Sequence, residues 1–151
     1  MNYEIVTLPK QTVVGISART NNTNPDMTTV IGNLWEDFFQ KGIYENIQNK
    51  TSGKTMGIYT DYAGNEKDDY SIIVATPVSQ VKDLLPNTII SAIPEGKYAK
   101  FILKGNMHKI VIDFWTKLWD MDLDRSFICD FEEYQNADME NAEVHVYISL
   151  K

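Results

Sequence analysis

The 151-residue sequence has one cysteine, no long apolar run and no cluster of basic residues. Cys129 cannot form an internal disulfide, so nothing requires an oxidising compartment. No segment approaches the roughly 18–20 consecutive apolar residues of a membrane span. The N-terminus also lacks the basic and apolar regions of a signal peptide. We therefore expect a cytoplasmic protein without a membrane partner.

Further absences exclude other classes of function. Fourteen basic and 21 acidic residues give a net charge of −7, and nucleic-acid binding needs a basic patch, so we expect no direct nucleic-acid partner. His108 and His145 lack a third candidate ligand, which argues against a metal site. The segment 52–55 (SGKT) lacks the spaced glycines of a phosphate-binding loop. We expect neither a metal nor another cofactor.

The hydrophobic pattern predicts the order β-α-β-β twice. In the first half we expect strands over 11–19, 54–62 and 70–78, a helix from Met27 to beyond Phe38, and a turn at Gly64-Asn65. In the second half we expect strands over 97–104, 125–134 and 142–150 and a helix over 107–122. The halves align, which indicates an internal duplication. The aligned pairs include Met27 with Met107, Trp35 with Trp115, Tyr59 with Phe131, and Val74 with Val146.

Strand alternation divides the side chains between two faces of a sheet. In the last strand, the apolar residues from Ala142 to Leu150 form one face, which we expect beneath the helices. The opposite face is expected to gather Asp130, Glu132, Tyr134, Glu143, His145 and Tyr147. The alignment adds Met56, Ile58, Thr60, Tyr62, Ile73 and Ala75 from the first half.

An acidic, aromatic surface facing an apolar one suits a flat or cationic ligand. The alternative is that the polar residues are simply solvated. A register error of one residue would exchange the roles of Glu132 and Glu133. On the second helix, Trp115 belongs to the apolar stripe and Trp119 lies at its margin. The sequence does not decide which tryptophan lines a pocket.

Three segments carry a resemblance to a known family: 93–99 (IPEGKYA), 130–134 (DFEEY) and 143–148 (EVHVYI). With the duplication, the chain resembles the GyrI-like (gyrase-inhibitor-like) effector-binding domain, related to ligand-binding domains of AraC-type and MerR-type multidrug-binding regulators. The resemblance covers essentially the whole chain. One departure is Ile148-Ser149-Leu150, where family members have an Ile-Pro-Ile-like run.

The resemblance implies an α+β fold in which two pseudo-twofold β-α-β-β repeats form a curved antiparallel sheet with two main helices and a central ligand cavity. A single domain would span 1–151, with repeats of about 1–80 and about 90–151. Glu132 takes the family's acidic position, and Tyr147 its tyrosine companion. The expected ligand-binding residues are Glu132, Tyr147, Trp119, Trp115, Tyr134, His145, Ile58 and Thr60.

The function expected first is a stand-alone sensor or sequestering protein for hydrophobic or cationic small molecules. The first alternative is a hydrolase of strained, cyclopropane-containing electrophiles, in which Glu132 activates water and Tyr147 donates a hydrogen bond. The second alternative is a protein-interaction role such as gyrase inhibition. The sequence names neither the ligand nor a protein partner.

Overall fold

The computed structural model describes residues 2–64 and 68–151, so Asn65 of the expected turn lies outside the described residues. Within these ranges the chain forms eight strands and three helices. In chain order they are β1 (Glu4–Leu8), β2 (Gln11–Thr20), α1 (Met27–Gln40), α2 (Ile43–Asn46), β3 (Thr55–Thr60), β4 (Tyr70–Pro77), β5 (Ile89–Ile93), β6 (Gly96–Gly105), α3 (Met107–Leu118), β7 (Cys129–Tyr134) and β8 (Ala142–Ser149).

The strands form one antiparallel sheet in the order β1-β6-β8-β7-β3-β4-β2-β5, curled into a half-barrel. The order is symmetric about the β3–β7 pair, because β4, β2 and β5 follow β3 as β8, β6 and β1 follow β7. The predicted α+β fold with a curved antiparallel sheet is confirmed. None of the helices in the described ranges is long and apolar enough to cross a membrane.

Both faces of the sheet are covered by apolar side chains. On one face, α3 packs on β6 and β8 through residues such as Phe114 and Val146, while α1 packs on β2 and β4 through residues such as Phe38 and Val74. On the other face, a third cluster runs across most of the sheet, and no helix of the described residues contributes to it. We call this the uncovered face, although its apolar side chains are buried by one another within the curled sheet. The buried members of the cluster are Val13, Met56, Ile58, Ile73, Ala75, Ile93, Tyr98, Cys129, Phe131 and Tyr147.

Two elements are shorter than the hydrophobic pattern predicts, because one ends earlier and the other begins later. The helix expected over 107–122 ends at Leu118, followed by Trp119 as its C-cap. The strand expected over 125–134 begins at Cys129, because Phe127 has a φ of 53° that interrupts the extended backbone. Before it, Arg125 makes only an isolated bridge to Leu150.

Three short elements were not predicted. β1 pairs with β6 and β5 pairs with β2, so each five-residue strand extends the edge of the sheet far from its neighbours in sequence. α2 is a single turn of four residues after Gly42. Because segments this short show too few periods of alternation, a sequence pattern does not identify them.

Candidate ligand-binding site

The register of β7 against β8 determines which face carries Glu132. Glu132 lies opposite Val146, and Phe131 lies opposite Tyr147. Because paired residues on neighbouring strands point to the same face, Glu132 shares the helix-covered face with Val146. Tyr147 lies on the other face, where its ring stacks on Phe131 at 4.6 Å between centroids. The expectation that Glu132, Asp130 and Tyr134 share a face with Tyr147, His145 and Glu143 is therefore wrong.

The expectation fails because apolar side chains cover both faces of this sheet. Cys129 and Phe131 look like helix-facing residues in the sequence, but they belong to the cluster on the uncovered face. Of the three acids of β7, Asp130 and Glu132 thus point inward beneath the helices, whereas Glu133 points to the opposite face. Alternation along a single strand shows which residues share a face, but it does not show which face the helices cover. The pairing of β7 with β8 decides that.

The same correction applies to the first half. Tyr59 lies opposite Asp130 and Ile58 opposite Phe131, so Tyr59 shares the face of Glu132, and its alignment with Phe131 does not preserve the face. The expected apolar residues Met56, Ile58, Ile73 and Ala75 belong to the core of the opposite face. Thr60, opposite Cys129, lies on that face too.

A cavity of about 460 Å³ lies between α1 and α3 on the helix-covered face. The residues that line it are Asn22, Met27, Thr28 and Ile31; Tyr59, Tyr62 and Tyr70; Val111, Ile112, Trp115, Thr116 and Trp119; and Arg125. Because α1 and α3 pack on separate halves of the sheet, the cavity occupies the space between their two cores. A central cavity was predicted, and the structure has one.

Aromatic rings in contact run along this cavity. The ring centroid of Tyr59 lies 5.1 Å from that of Trp115 and 5.7 Å from that of Tyr70, and Tyr70 lies 5.7 Å from Tyr62. Tyr62 joins the helix-covered side because Asp61, at a φ of 52°, breaks the alternation after β3. The result is a surface of electron-rich rings that suits a flat or cationic group.

Glu132 lies behind these rings and is only 2 % exposed. Its Oε2 accepts a hydrogen bond from Trp115 Nε1 at 2.9 Å. Its Oε1 accepts from the hydroxyl groups of Tyr59 at 3.2 Å and Tyr134 at 3.1 Å. Two of the three donors, Tyr59 and Trp115, line the cavity themselves. The carboxylate is therefore coupled directly to the aromatic surface.

Burial raises the pKa of the Glu132 carboxyl, and the hydrogen bonds from Trp115, Tyr134 and Tyr59 oppose that rise. The pKa of both Tyr59 and Tyr134 is raised, first by burial and then by the nearby Glu132 charge. Burial, with a further contribution from Glu132, raises the pKa of Tyr70 to about 12. The tyrosines therefore remain neutral donors near neutral pH.

Gly57 provides the space that this arrangement needs. It lies opposite Glu132 in the sheet. A Cβ atom at this position would come within 2.8 Å of Glu132 Oε1 and 3.3 Å of Trp35 Cζ2. A side chain here would displace the carboxylate, so the glycine is part of the site although it contributes no polar group.

A second acid on the same face, Asp130, is fully buried and paired with a cation. Its Oδ2 accepts from Arg125 Nη2 at 2.7 Å and from the Tyr62 hydroxyl at 2.8 Å. Its Oδ1 accepts from the backbone N–H of Ser149 at 2.9 Å and from the Ser149 hydroxyl at 3.2 Å. The two acids thus differ: Asp130 has a counterion, whereas Glu132 has only neutral donors among the described residues.

The structure brings together four of the residues expected to bind ligand: Trp115 and Trp119 on the cavity wall, and Glu132 and Tyr134 behind it. Both tryptophans line the cavity, although Trp119 is 61 % exposed. The other four, Tyr147, His145, Ile58 and Thr60, lie on the opposite face of the sheet. There His145 Nε2 lies 2.7 Å from Glu143 Oε2, and Thr60 Oγ1 donates to the carbonyl of Ile128 at 3.0 Å.

Several cavity residues were not expected. The alignment of Tyr59 with Phe131 predicts an apolar packing role for Tyr59, and the pattern gives Tyr70 only as the start of a strand. The pattern likewise gives Arg125 only as the first residue of a strand. The sequence signal for Tyr59 is its closeness along the chain to Tyr62 and Tyr70, and the rings of these residues contact one another at the cavity.

The hydrolase hypothesis depended on Glu132 and Tyr147 acting on one ligand. These residues lie on opposite faces of the sheet, separated by the backbone of β7 and β8. The hydroxyl groups that reach the carboxylate are those of Tyr59 and Tyr134. The pairing proposed for that chemistry is therefore absent.

An α+β half-barrel with a ring-lined cavity between α1 and α3 defines a small-molecule-binding domain. The family model of Cass2, an integron-associated effector binding protein, matches residues 4–150. The chain belongs to this family, and its expected GyrI-like effector-binding character is confirmed. No curated protein is significantly similar to the chain.

Several solved structures share the fold. The integron cassette protein VCH_CASS2 from the mobile metagenome of Vibrio cholerae is 28 % identical, with a TM-score of 0.81 over 99 % of this chain and 95 % of that one. SAV2435 bound to tetraphenylphosphonium is 19 % identical, with a TM-score of 0.81 over 100 % and 94 %. A putative bacterial transcription regulation protein from Staphylococcus aureus MU50 is 19 % identical, with a TM-score of 0.79 over 100 % and 99 %.

Proposed function

We propose that this chain binds lipophilic organic cations in the cavity between α1 and α3, as a sensing or sequestering protein. The observation that carries the proposal is the Glu132 carboxylate. It is buried behind the rings of Tyr59 and Trp115 and has no cationic partner among residues 2–64 and 68–151. A buried carboxylate without a counterion is unfavourable, and a cation in the cavity would offset that cost.

The ring surface explains why the cation should be lipophilic. Tyr59 and Trp115 face the cavity and donate hydrogen bonds to Glu132, so a cation over these rings gains both from the ring quadrupoles and from the carboxylate behind them. An organic cation with delocalised charge loses little hydration on entering such a site. The apolar residues Met27, Ile31, Val111 and Ile112 supply contacts for its hydrocarbon parts.

The comparison with SAV2435 is consistent with this ligand class, because that structure is bound to tetraphenylphosphonium. The identity of 19 % supports only the shared fold. The argument for this chain therefore rests on its own carboxylate and rings, and tetraphenylphosphonium serves as a suitable probe.

The test is a titration of the protein with tetraphenylphosphonium, followed by tryptophan fluorescence and by calorimetry. Trp115 and Trp119 line the cavity, so binding should change the fluorescence. We expect Glu132→Gln to weaken binding by about 10- to 100-fold, the loss expected for one unit charge at partly screened short range. The amide keeps the shape of the side chain and can still hydrogen bond to the tyrosines and Trp115.

The matched control is Glu133→Gln. Glu133 is the next residue of β7 and carries the same charge, but it lies on the opposite face, opposite His145. Both variants change the net charge equally, so only a local effect distinguishes them. Equal affinities for wild type and Glu132→Gln, or equal losses in the two variants, would contradict the proposed role of Glu132.

A further inference from the structure

Arg125 alone carries a formal charge among the described residues that line the cavity. Its side chain is 10 % exposed. The guanidinium lies at 4.3 Å from the ring centroid of Phe127, which continues the row of rings from Tyr62. A positive group in a cavity proposed to bind cations needs an explanation, and its hydrogen bonds provide one.

The charge of Arg125 is compensated, but its donors are not all used. Nη2 donates to Asp130 Oδ2 at 2.7 Å. Nε is buried and has no hydrogen-bond partner within the ranges that the structure describes. A guanidinium offers five N–H donors, and a buried donor without an acceptor is destabilising. The guanidinium, which lines the cavity, therefore has N–H donors that no acceptor of the described residues takes up.

The chemistry of the missing acceptor follows from Asp130. This carboxylate is fully buried and already neutralises the guanidinium. A second anion at the same place would lie close to Asp130 and be repelled by it. A neutral oxygen, such as that of a ketone, amide or ether, accepts a hydrogen bond without this repulsion.

We infer that the cavity selects lipophilic cations that also carry a neutral hydrogen-bond acceptor at the end near Arg125. The inference rests on the proposed function. Asp130 and Glu132 are two residues apart on β7, which corresponds to roughly 6.5–7 Å along a strand. The acceptor should therefore be separated from the cationic centre by about the length of one substituted phenyl ring.

The test compares two phosphonium probes of equal charge and similar shape. One is (4-acetylphenyl)triphenylphosphonium, whose carbonyl is the acceptor, and the other is (4-isopropenylphenyl)triphenylphosphonium, in which a CH₂ group replaces that oxygen. We expect the wild type to bind the acetyl compound about tenfold more tightly, the effect of one hydrogen bond to a charged donor. The ratio of the two dissociation constants is the readout, so general changes in affinity cancel.

Two variants assign the preference to Arg125. Arg125→Lys keeps a positive charge beside Asp130 but replaces the planar fork by one ammonium group, which the ion pair occupies. Arg125→Met combined with Asp130→Asn removes both charges together and serves if the lysine variant folds poorly. In each we expect the preference to fall to about twofold or less. The control is Arg19→Lys, the same exchange at an exposed guanidinium that does not line the cavity, and it should keep the tenfold ratio.

The outcomes separate this inference from the proposed function. Equal binding of the two probes by the wild type overturns the inference and leaves the proposed cation binding intact. A preference that survives in both Arg125 variants, or disappears in Arg19→Lys, assigns the hydrogen bond to another donor and also overturns the inference. If neither phosphonium binds, the proposed function and the inference both fail.

Discussion

At the scale of residues, the site depends on one carboxylate held by neutral donors. Glu132 accepts hydrogen bonds from Trp115, Tyr59 and Tyr134, which orient the carboxylate. These bonds offset part of the free-energy cost of burying it, but none of the donors supplies a positive charge. Asp130, two residues away, shows the other solution, with Arg125 as its counterion. The contrast explains why a cationic ligand is expected beside Glu132.

The raised pKa of Glu132 predicts that cation binding strengthens as the pH rises. Burial raises the carboxyl pKa in the free protein, so at low pH the group is protonated and attracts no cation. A bound cation favours the ionised form and lowers the pKa, so affinity increases with pH until the carboxyl of the free protein is ionised. The measurement is a series of tetraphenylphosphonium titrations from about pH 5 to about pH 8, a range above the ordinary glutamate value.

The control for this pH dependence is Glu132→Gln, whose affinity should be nearly constant over the same range. Tetraphenylphosphonium suits the experiment because its own charge does not titrate. A wild-type affinity that is flat with pH, or one that falls as the pH rises, would contradict the assignment. An identical slope in Glu132→Gln would mean that another group is responsible.

The sequence was sufficient to select Glu132, Trp115, Trp119 and Tyr134, but not to explain their arrangement. Alternation predicts that Glu132 shares a surface with Tyr147, whereas its hydrogen-bond partners are Tyr59, Tyr134 and Trp115. Alternation along β7 does not show which face the helices cover, because Phe131 and Cys129 are as apolar as residues that pack under a helix. Only the long-range pairing with β8 decides this.

At the scale of elements, two glycines differ in the space around them: one lies in a strand at the site and the other in a helix at the surface. Gly57 lies within β3, in the middle of the sheet, and faces Glu132 and Trp35. Gly32 lies within α1 on its exposed side, and a Cβ atom there would meet nothing within 4 Å. The same change to alanine should therefore have opposite effects at the two positions.

We expect Gly57→Ala to lower the free energy of unfolding by about 1–3 kcal/mol, because the added methyl group overpacks the site. It should also weaken tetraphenylphosphonium binding, since it displaces the Glu132 carboxylate. Gly32→Ala should raise the free energy of unfolding by about 0.5–1 kcal/mol through helix propensity. Denaturant unfolding measures both changes. A stable Gly57→Ala variant with wild-type affinity would contradict the tight fit inferred around Glu132.

The helices and longer strands could be predicted because their periodicity spans several repeats. The apolar stripes of α1 and α3, and the alternation of β8, are local features. The positive φ values at Asp61 and Phe127 are not, and they decide where Tyr62 and Arg125 point. The edge strands β1 and β5 also depend on partners far along the chain. The sequence therefore predicts the elements better than the turns that complete the cavity.

At the scale of the whole molecule, the cavity follows from how the core is divided. The uncovered face of the sheet has a core that extends across both halves, whereas the helix-covered face has one cluster under each helix. The central strands β3 and β7 lie beneath the gap between these clusters. The uncovered face thus stabilises the half-barrel, and the gap between the helices remains available for a ligand.

This division predicts a specific pattern of amide hydrogen exchange on ligand binding. Tetraphenylphosphonium should slow exchange in the N-terminal part of α1, in α3 and around Arg125, because these segments line the cavity and gain contacts. The edge strands β1 and β5 do not line it and should change little. Mass spectrometry of the exchanged peptides, with Glu132→Gln at the same probe concentration as the control, measures the pattern. Protection confined to β1 or β5, or equal protection in Glu132→Gln, would place the ligand outside the cavity between the helices.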